Sequence, residues 1–321
     1  MRLTCEGQLP SARAYTTDAP MYIDSTRQLQ LDVDARSNRY FRNAVERHWD
    51  PYDIDLEQDK QNLLEQGGTE EEFDGMKAGI AKFGAGEQAV TEDLAPLAIV
   101  LDDIDDQMFL TTQLYEEAKH TEFFDRYWRE VIHAVEDERG WERSSPTDDR
   151  WFNEPYWDLF EQNEAAMHRL LTDDTPENRA TAYCYYHLTI EGILAQTGYY
   201  GMQSSYSADR FPGVPHLPGL VEGFSLIRSD EGRHVGFGMA KLKELIAESQ
   251  VDPQHISDTV DELIPLVQGI TEDERYQSDE GLPPGELEQY AAEKHIERMQ
   301  QITDAAADIP DVDTLTRLEG D

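Results

Sequence analysis

Glu117 and His120 stand three residues apart in YEEAKH, and Glu231 and His234 repeat that spacing in DEGRH. On a helix this separation puts both side chains on one face, one turn from each other. Ahead of each pair lies a segment with a carboxylate in apolar surroundings, Glu87 in FGAGEQAVTEDLAPLAIV and Glu191 in YCYYHLTIEGILAQTGYY. An unpartnered carboxylate would be costly to bury there, and a metal ion supplies the partner. Four carboxylates and two imidazoles, drawn from two Glu-only and two Glu-x-x-His helices, form the ligand set of di-iron and di-manganese bundles. Hard oxygen and borderline nitrogen donors suit iron and manganese, whereas thiolates would favour other metals. A single Glu-x-x-His is often a solvated helical pair, whereas its repetition behind a long helix in each half is far more specific.

The neighbouring acids Glu92, Asp93, Glu116 and Glu122 are expected to face solvent, as most charges do. Asp230 is different because it directly precedes a ligand. Metal-bound His usually donates its other ring N–H to a carboxylate, and Asp230 is expected to take that bond from His120. His187, four residues before Glu191, reads either as a donor behind the ligands or as a hydrogen-bonded core histidine.

The elements that must position these groups are helical. From Glu70 onward apolar residues recur at three- and four-residue spacing, with Gly and Pro mostly near segment ends. This predicts helices over Thr69–Ile104, Asp106–Val135, Pro176–Ser204, Leu217–Glu248, Ile256–Glu272 and Gly285–Thr303, the first four long enough for a bundle. Neither strand-like alternation nor a repeat of solenoid length appears, so the fold class is all-α. One helical domain is expected over residues 36–304, after a variable segment 1–35 and before an acidic tail 305–321.

The 67 acidic residues against 27 basic give a net charge of -40, which would repel a phosphate backbone or an anionic membrane surface. Nucleic acid is therefore excluded as a partner. Lysine is confined to Lys60, Lys77, Lys82, Lys119, Lys241, Lys243 and Lys294, and an acid-rich, lysine-poor surface suits concentrated salt. A halophilic source is the expectation. Cys5 and Cys184 are too few and too far apart for a disulfide framework or a thiolate metal site. With no apolar signal after Met1 and no run of eighteen apolar residues, a soluble cytoplasmic protein is expected.

The same residues carry a family resemblance. Through HWDPYDIDLEQDK, GEQAVTEDLAP, MFLTTQLYEEAKHTEFF, YYHLTIEGILAQTGYY, DEGRHVGFG, DELIPL and LEQYAAEKHIERMQQI, the chain resembles the ligand-binding oxidases related to the small subunit of class I ribonucleotide reductase. The resemblance spans about His48 to Ile302. It implies a ferritin-like four-helix bundle with additional helices and a dinuclear metal site inside it, holding manganese and iron. The ligands themselves would accept two irons as readily. It further implies activation of O2, a long-chain fatty acid or other amphipathic ligand bound at the metals, a homodimer, and an ether bond between a valine β-carbon and a tyrosine oxygen.

The matching residues are Val90 and Tyr186. Val90 follows Glu87 by nearly one helical turn, so spacing supports its facing the site. Tyr186 precedes Glu191 by five, which in an α-helix turns it well off the ligand face, and its role rests on the resemblance alone. Tyr199 matches a site-facing tyrosine of the family and reads equally as a buried aromatic. Gly192, Ala195 and Gly198 form a small-residue strip that would either leave room for an acyl chain or allow close helix packing.

Two other functions fit parts of the pattern. A radical-generating ribonucleotide reductase small subunit shares the ligands. Tyrosyl-radical members, however, carry a tyrosine where Phe124 stands, and the tail from Asp308 to Asp321 contains no tyrosine. A ferritin-like storage protein needs no deep apolar pocket, and the Val90 and Tyr186 match favours the oxidase.

Overall fold

The computed structural model describes residues 31–66, 68–208, 211, 213–273, 275, 282–304 and 307–317. Cys5 and most of the expected N-terminal segment lie outside the described residues. Among the described residues helices joined by loops and turns are the only regular elements, without strands, and they build a ferritin-like bundle. No described helix is long and apolar enough to cross a membrane.

Four helical rods carry the expected ligands. The first, α3 (Glu70–Asp93), opens on a capping box in which Thr69 N donates to Glu72 and Glu72 N donates to Thr69 Oγ1. The predicted single helix to Ile104 is broken after Asp93. Pro96, without an N–H, starts a short α4 (Ala95–Val100), and Asp103 then caps α5 (Ile104–Tyr127) by accepting from Asp105 N and Asp106 N. α5 runs on through a π-wound turn at Trp128–Ile132 into α6 (His133–Arg139), which ends on Gly140 at φ 72°. The third rod joins α8 (Pro176–Tyr183), a π-wound stretch over Cys184–Ala195 and α9 (Gln196–Tyr206). The fourth is α10 (Pro218–Ala247). α3 packs along α5, α10 packs along the π-wound stretch and α9, and α5 meets α10 between the two pairs. α11 (Pro253–Thr271) and α12 (Pro284–Thr303) follow, close to their predicted spans.

Three helices escaped the periodicity reading. α1 (Arg36–Glu46) and α2 (Glu57–Gln66) lie ahead of Glu70, and α7 (Glu154–Arg169), in EPYWDLFEQNEAAMHR, is capped by Asn153. Each makes a tie that positions the rods. Asn38 and Ser37 of α1 donate to Asp105 and Asp106 of α5, at 2.8 and 2.5 Å. Asp59 of α2, fully buried, accepts from Gly219 N and Leu220 N at 2.8 Å each and from Tyr127 Oη at 3.1 Å. It satisfies the α10 N-terminus, which has no side-chain cap of its own.

The C-terminal segment, expected as a tail, is packed where it is described. α13 (Val312–Leu315) lies on α10. A Cβ on Gly232 would come 2.6 Å from Val312 O, and one on Gly236 would clash with Tyr40, so both glycines permit this close approach. Arg228 donates to Thr316 O at 2.7 Å, Arg298 to Leu315 O at 2.5 Å, and Leu315 is fully buried. Leu315→Ala is expected to destabilise the protein by about 2 to 5 kcal/mol in urea unfolding, the range for a truncated core leucine. A loss below about 0.5 kcal/mol, the size of an ordinary surface change, would show that α13 is not part of the folded core.

Candidate metal centre

The six side chains expected as ligands meet in the middle of the bundle, all of them buried. Ligand-type atoms of Glu87, Glu117, His120 and Glu231 lie within 4.8 Å of one another, and so do those of Glu117, Glu191, Glu231 and His234. Glu117 and Glu231 belong to both groups, which therefore share an edge built from α5 and α10. Nδ1 of His120 lies 3.4 Å from Glu87 Oε2, 3.6 Å from Glu117 Oε2 and 3.4 Å from Glu231 Oε1. Nδ1 of His234 lies 3.0, 3.3 and 3.2 Å from oxygens of Glu117, Glu191 and Glu231. His120 Nδ1 and Glu191 Oε2 are buried without a hydrogen-bond partner. Unsatisfied donor atoms converging among carboxylates fit a pair of hard cations better than any hydrogen-bond network.

The outward ring nitrogens are held crosswise. His120 Nε2 of α5 lies 3.1 Å from Asp230 Oδ2 of α10, and His234 Nε2 of α10 lies 2.9 Å from Glu116 Oε2 of α5. Arg233 bridges Glu116 and Asp230 at 2.5 Å each, while Lys119 and Trp49 donate to Asp230 at 2.7 and 2.8 Å. The expectation that Glu116 faces solvent is thus overturned. It sits where Asp230 sits in the other half, and aligning EEAKH with DEGRH would have paired the two. Asp93 is also buried, covered by the unforeseen α7, whose Asn163 donates to it at 3.3 Å, whereas Glu92 and Glu122 are exposed.

Tyr186 departs from its α-helical expectation. Its hydroxyl donates to Glu117 Oε1 at 2.8 Å. In the π-wound stretch the hydrogen bonds run i to i+5, so Tyr186 and Glu191 stand one turn apart instead of on different faces. His187 is fully buried between Tyr183, Tyr186 and Phe237, with Nδ1 unpartnered and Nε2 3.5 Å from the Gln113 amide. It makes no hydrogen bond to a ligand carboxylate.

A cavity of about 890 Å³ reaches the cluster, with Glu87, Val90, Glu117, Glu191 and Glu231 in its wall. Tyr199, also in the wall, stacks on Phe83 at 5.2 Å between ring centroids, and Phe124 stacks on the same ring at 5.8 Å. The small-residue strip divides between its two readings. Ala195 and Gly198 line the cavity, although a Cβ on Gly198 would run into Phe83, while Gly192 packs at its own backbone and Val235.

Solved structures carry the same architecture. A tyrosine-to-phenylalanine variant of an R2-like ligand-binding oxidase, with aerobically reconstituted Mn/Fe cofactor, matches at TM-score 0.75 and 30% identity, covering 88% of this chain and 99% of that one. The chain belongs to the R2-like ligand-binding oxidases. A valine-to-leucine variant of such an oxidase, also aerobically reconstituted with Mn/Fe, agrees at TM-score 0.75 and 30% identity over the same shares. A further tyrosine variant with anaerobically reconstituted cofactor gives 0.76 and 29%, again over 88% of this chain and 99% of that one. No family model matches the chain. Membership makes the protein an oxidoreductase.

The electrostatics say what a metal would displace. Burial pushes the Glu87 carboxyl up to about 8 despite His120 beside it, and burial with Glu231 nearby pushes Glu191 well above the carboxylate range. Burial acts against charged His120 and His234, but Glu87 and Asp230 around the first, and Glu231 and Glu117 around the second, hold both well above the ordinary imidazole range. The Glu87 carboxyl of the metal-free protein thus keeps a proton that the unfolded chain loses above its ordinary 4.5. Its contribution to metal-free stability therefore falls between pH 4.5 and about 8. Metal must expel this proton and those of the imidazoles, so affinity for Mn(II) should rise about tenfold per pH unit for each proton displaced. Competition titration against a chelator from pH 6 to 8 reads this, and a flat profile would contradict the protonated cluster.

Proposed function

We propose that the protein is a dimetal oxidase that binds manganese and iron, or two irons, through Glu87, Glu117, His120, Glu191, Glu231 and His234. The convergence of two overlapping ligand groups at the inner end of a large cavity carries this reading. When bound, the metals would supply the redox chemistry that reduces dioxygen. The chain's own residues do the rest. Asp230 and Glu116 orient the two imidazoles through their Nε2 atoms, so that both Nδ1 atoms face inward. The cavity would take an amphipathic ligand such as a long-chain fatty acid, with its carboxylate towards the cluster and its chain along Ile190, Leu194, Ala195 and Met202.

Val90 and Tyr186 are the proposed internal reductants. One C–H bond at the Val90 β-carbon and the O–H bond of Tyr186 would give way to a C–O bond, with two electrons and two protons passing to dioxygen. The hydrogen bond from Tyr186 to Glu117 supports this by tying the phenol to a proposed ligand, and Val90 lines the same cavity wall as Glu87. Tyr199, in that wall, is proposed to border the reacting space. A radical-generating reductase subunit is less well supported, because Phe124 sits in an aromatic stack and the described C-terminal residues are engaged on α10.

The protein is further proposed to be a homodimer, as the family resemblance implies, and to work in a salt-rich cytoplasm, the salt-rich setting being supported by the charge of -40. Raising KCl from about 0.1 to about 1 M shortens the Debye length from about 10 to about 3 Å, so the melting temperature should climb. A fall would remove the halophilic reading. The central test loads metal-free protein with Mn(II) and Fe(II) without oxygen, exposes half to air and compares peptide masses. A joined Val90/Tyr186 peptide, lighter by two hydrogens and dependent on both metal and air, is expected. Two bound metals without the link would favour the reductase subunit, and a shell taking up iron without limit would favour storage.

A further inference from the structure

Gln113 lies on α5 one turn before Glu117 and is fully buried. Its amide nitrogen is 3.2 Å from Glu191 Oε1 and 3.3 Å from Tyr186 Oη, and both amide heteroatoms are 3.5 Å from His187 Nε2. The amide turns its NH2 end to Glu191, whose Oε1 accepts from it. Tyr186 already gives its hydroxyl proton to Glu117 Oε1, so the phenol oxygen presents a lone pair to Gln113. Two residues of α5, one turn apart, therefore grip one oxygen from two sides. A leucine would fill this space without the cost of desolvating an amide, so packing alone does not account for glutamine here.

We propose that Gln113 is a positioning residue for the oxidation of Val90 and Tyr186, orienting the phenol oxygen towards the Val90 β-carbon and tying Glu191 to the same point. This rests on the reading of Val90 and Tyr186 given above. The bonds broken and formed are those already stated, with dioxygen as oxidant. Gln113 exchanges no atoms or electrons.

Two readouts test it, one of them without metal. In metal-free protein carrying carbon-labelled tyrosine, the Tyr186 ring resonance is assigned by its loss in Tyr186→Phe. Gln113→Leu is expected to shift it. In protein loaded with Mn(II) and Fe(II), the same variant should still bind two metals but form the joined peptide about tenfold more slowly on exposure to air, the effect of one lost hydrogen bond. Gln113→Met, which keeps the side-chain length, is read in the same way if the leucine variant binds fewer metals. An unmoved Tyr186 resonance, or link formation at the wild-type rate, overturns the proposal. Absence of the link in the wild-type protein overturns the oxidation reading instead, and the metal-free resonance then decides whether Gln113 holds Tyr186.

Discussion

Four carboxylates and two imidazoles are buried together inside an apolar bundle, and the rest of the structure follows from keeping them there. Each ion taken from water costs several kcal/mol unless it is paired and hydrogen-bonded. The chain surrounds the inner six with a second layer in which Glu116 and Asp230 each reach across to the imidazole of the opposite helix, and Arg233 and Lys119 balance those acids. Because each acid belongs to the other helix's histidine, α5 and α10 cannot slide without breaking both contacts.

That coupling places demands on the scaffold. α10 must enter at a defined height, which Asp59 sets by accepting from its first N–H groups. It must also be covered on its outer side at the level of Glu231 and His234. There Gly232 and Gly236 let α1 and α13 approach closely enough to exclude water. The third rod solves a different problem. Winding Cys184–Ala195 with i to i+5 hydrogen bonds brings Tyr186 and Glu191 to the same side, at the price of a helix form that is rarely sustained.

The cavity opens against this dense surround. Its inner wall holds the carboxylates, and its aromatic side includes Phe83 and Tyr199, with Phe124 stacked on Phe83. An open-mouthed space with a mainly apolar wall that ends on hard oxygen donors suits a molecule with one anionic end and a long apolar body.

Much of this was legible in the sequence, because it depends on local periodicity. Glu-x-x-His puts two side chains on one helical face wherever the helix lies, and Glu87 and Glu191 announced burial through their apolar neighbours. The long helices showed themselves in the same way, within a few residues of their ends except where the first breaks after Asp93. What local spacing does not encode is which side chain meets which across helices, and what helical period applies. Glu116 reads as a surface acid until His234 is brought against it, and Tyr186 reads as off-site until the chain is wound with a π period. α7 and the docked α13 are polar enough in sequence to pass for loop and tail, and only their burial against α3 and α10 makes them structural. The six side chains that meet as candidate donors were thus legible in the sequence itself. Its hydrogen-bonded surround was decided by tertiary packing, because a buried charge takes its partner from whichever element the fold places within reach.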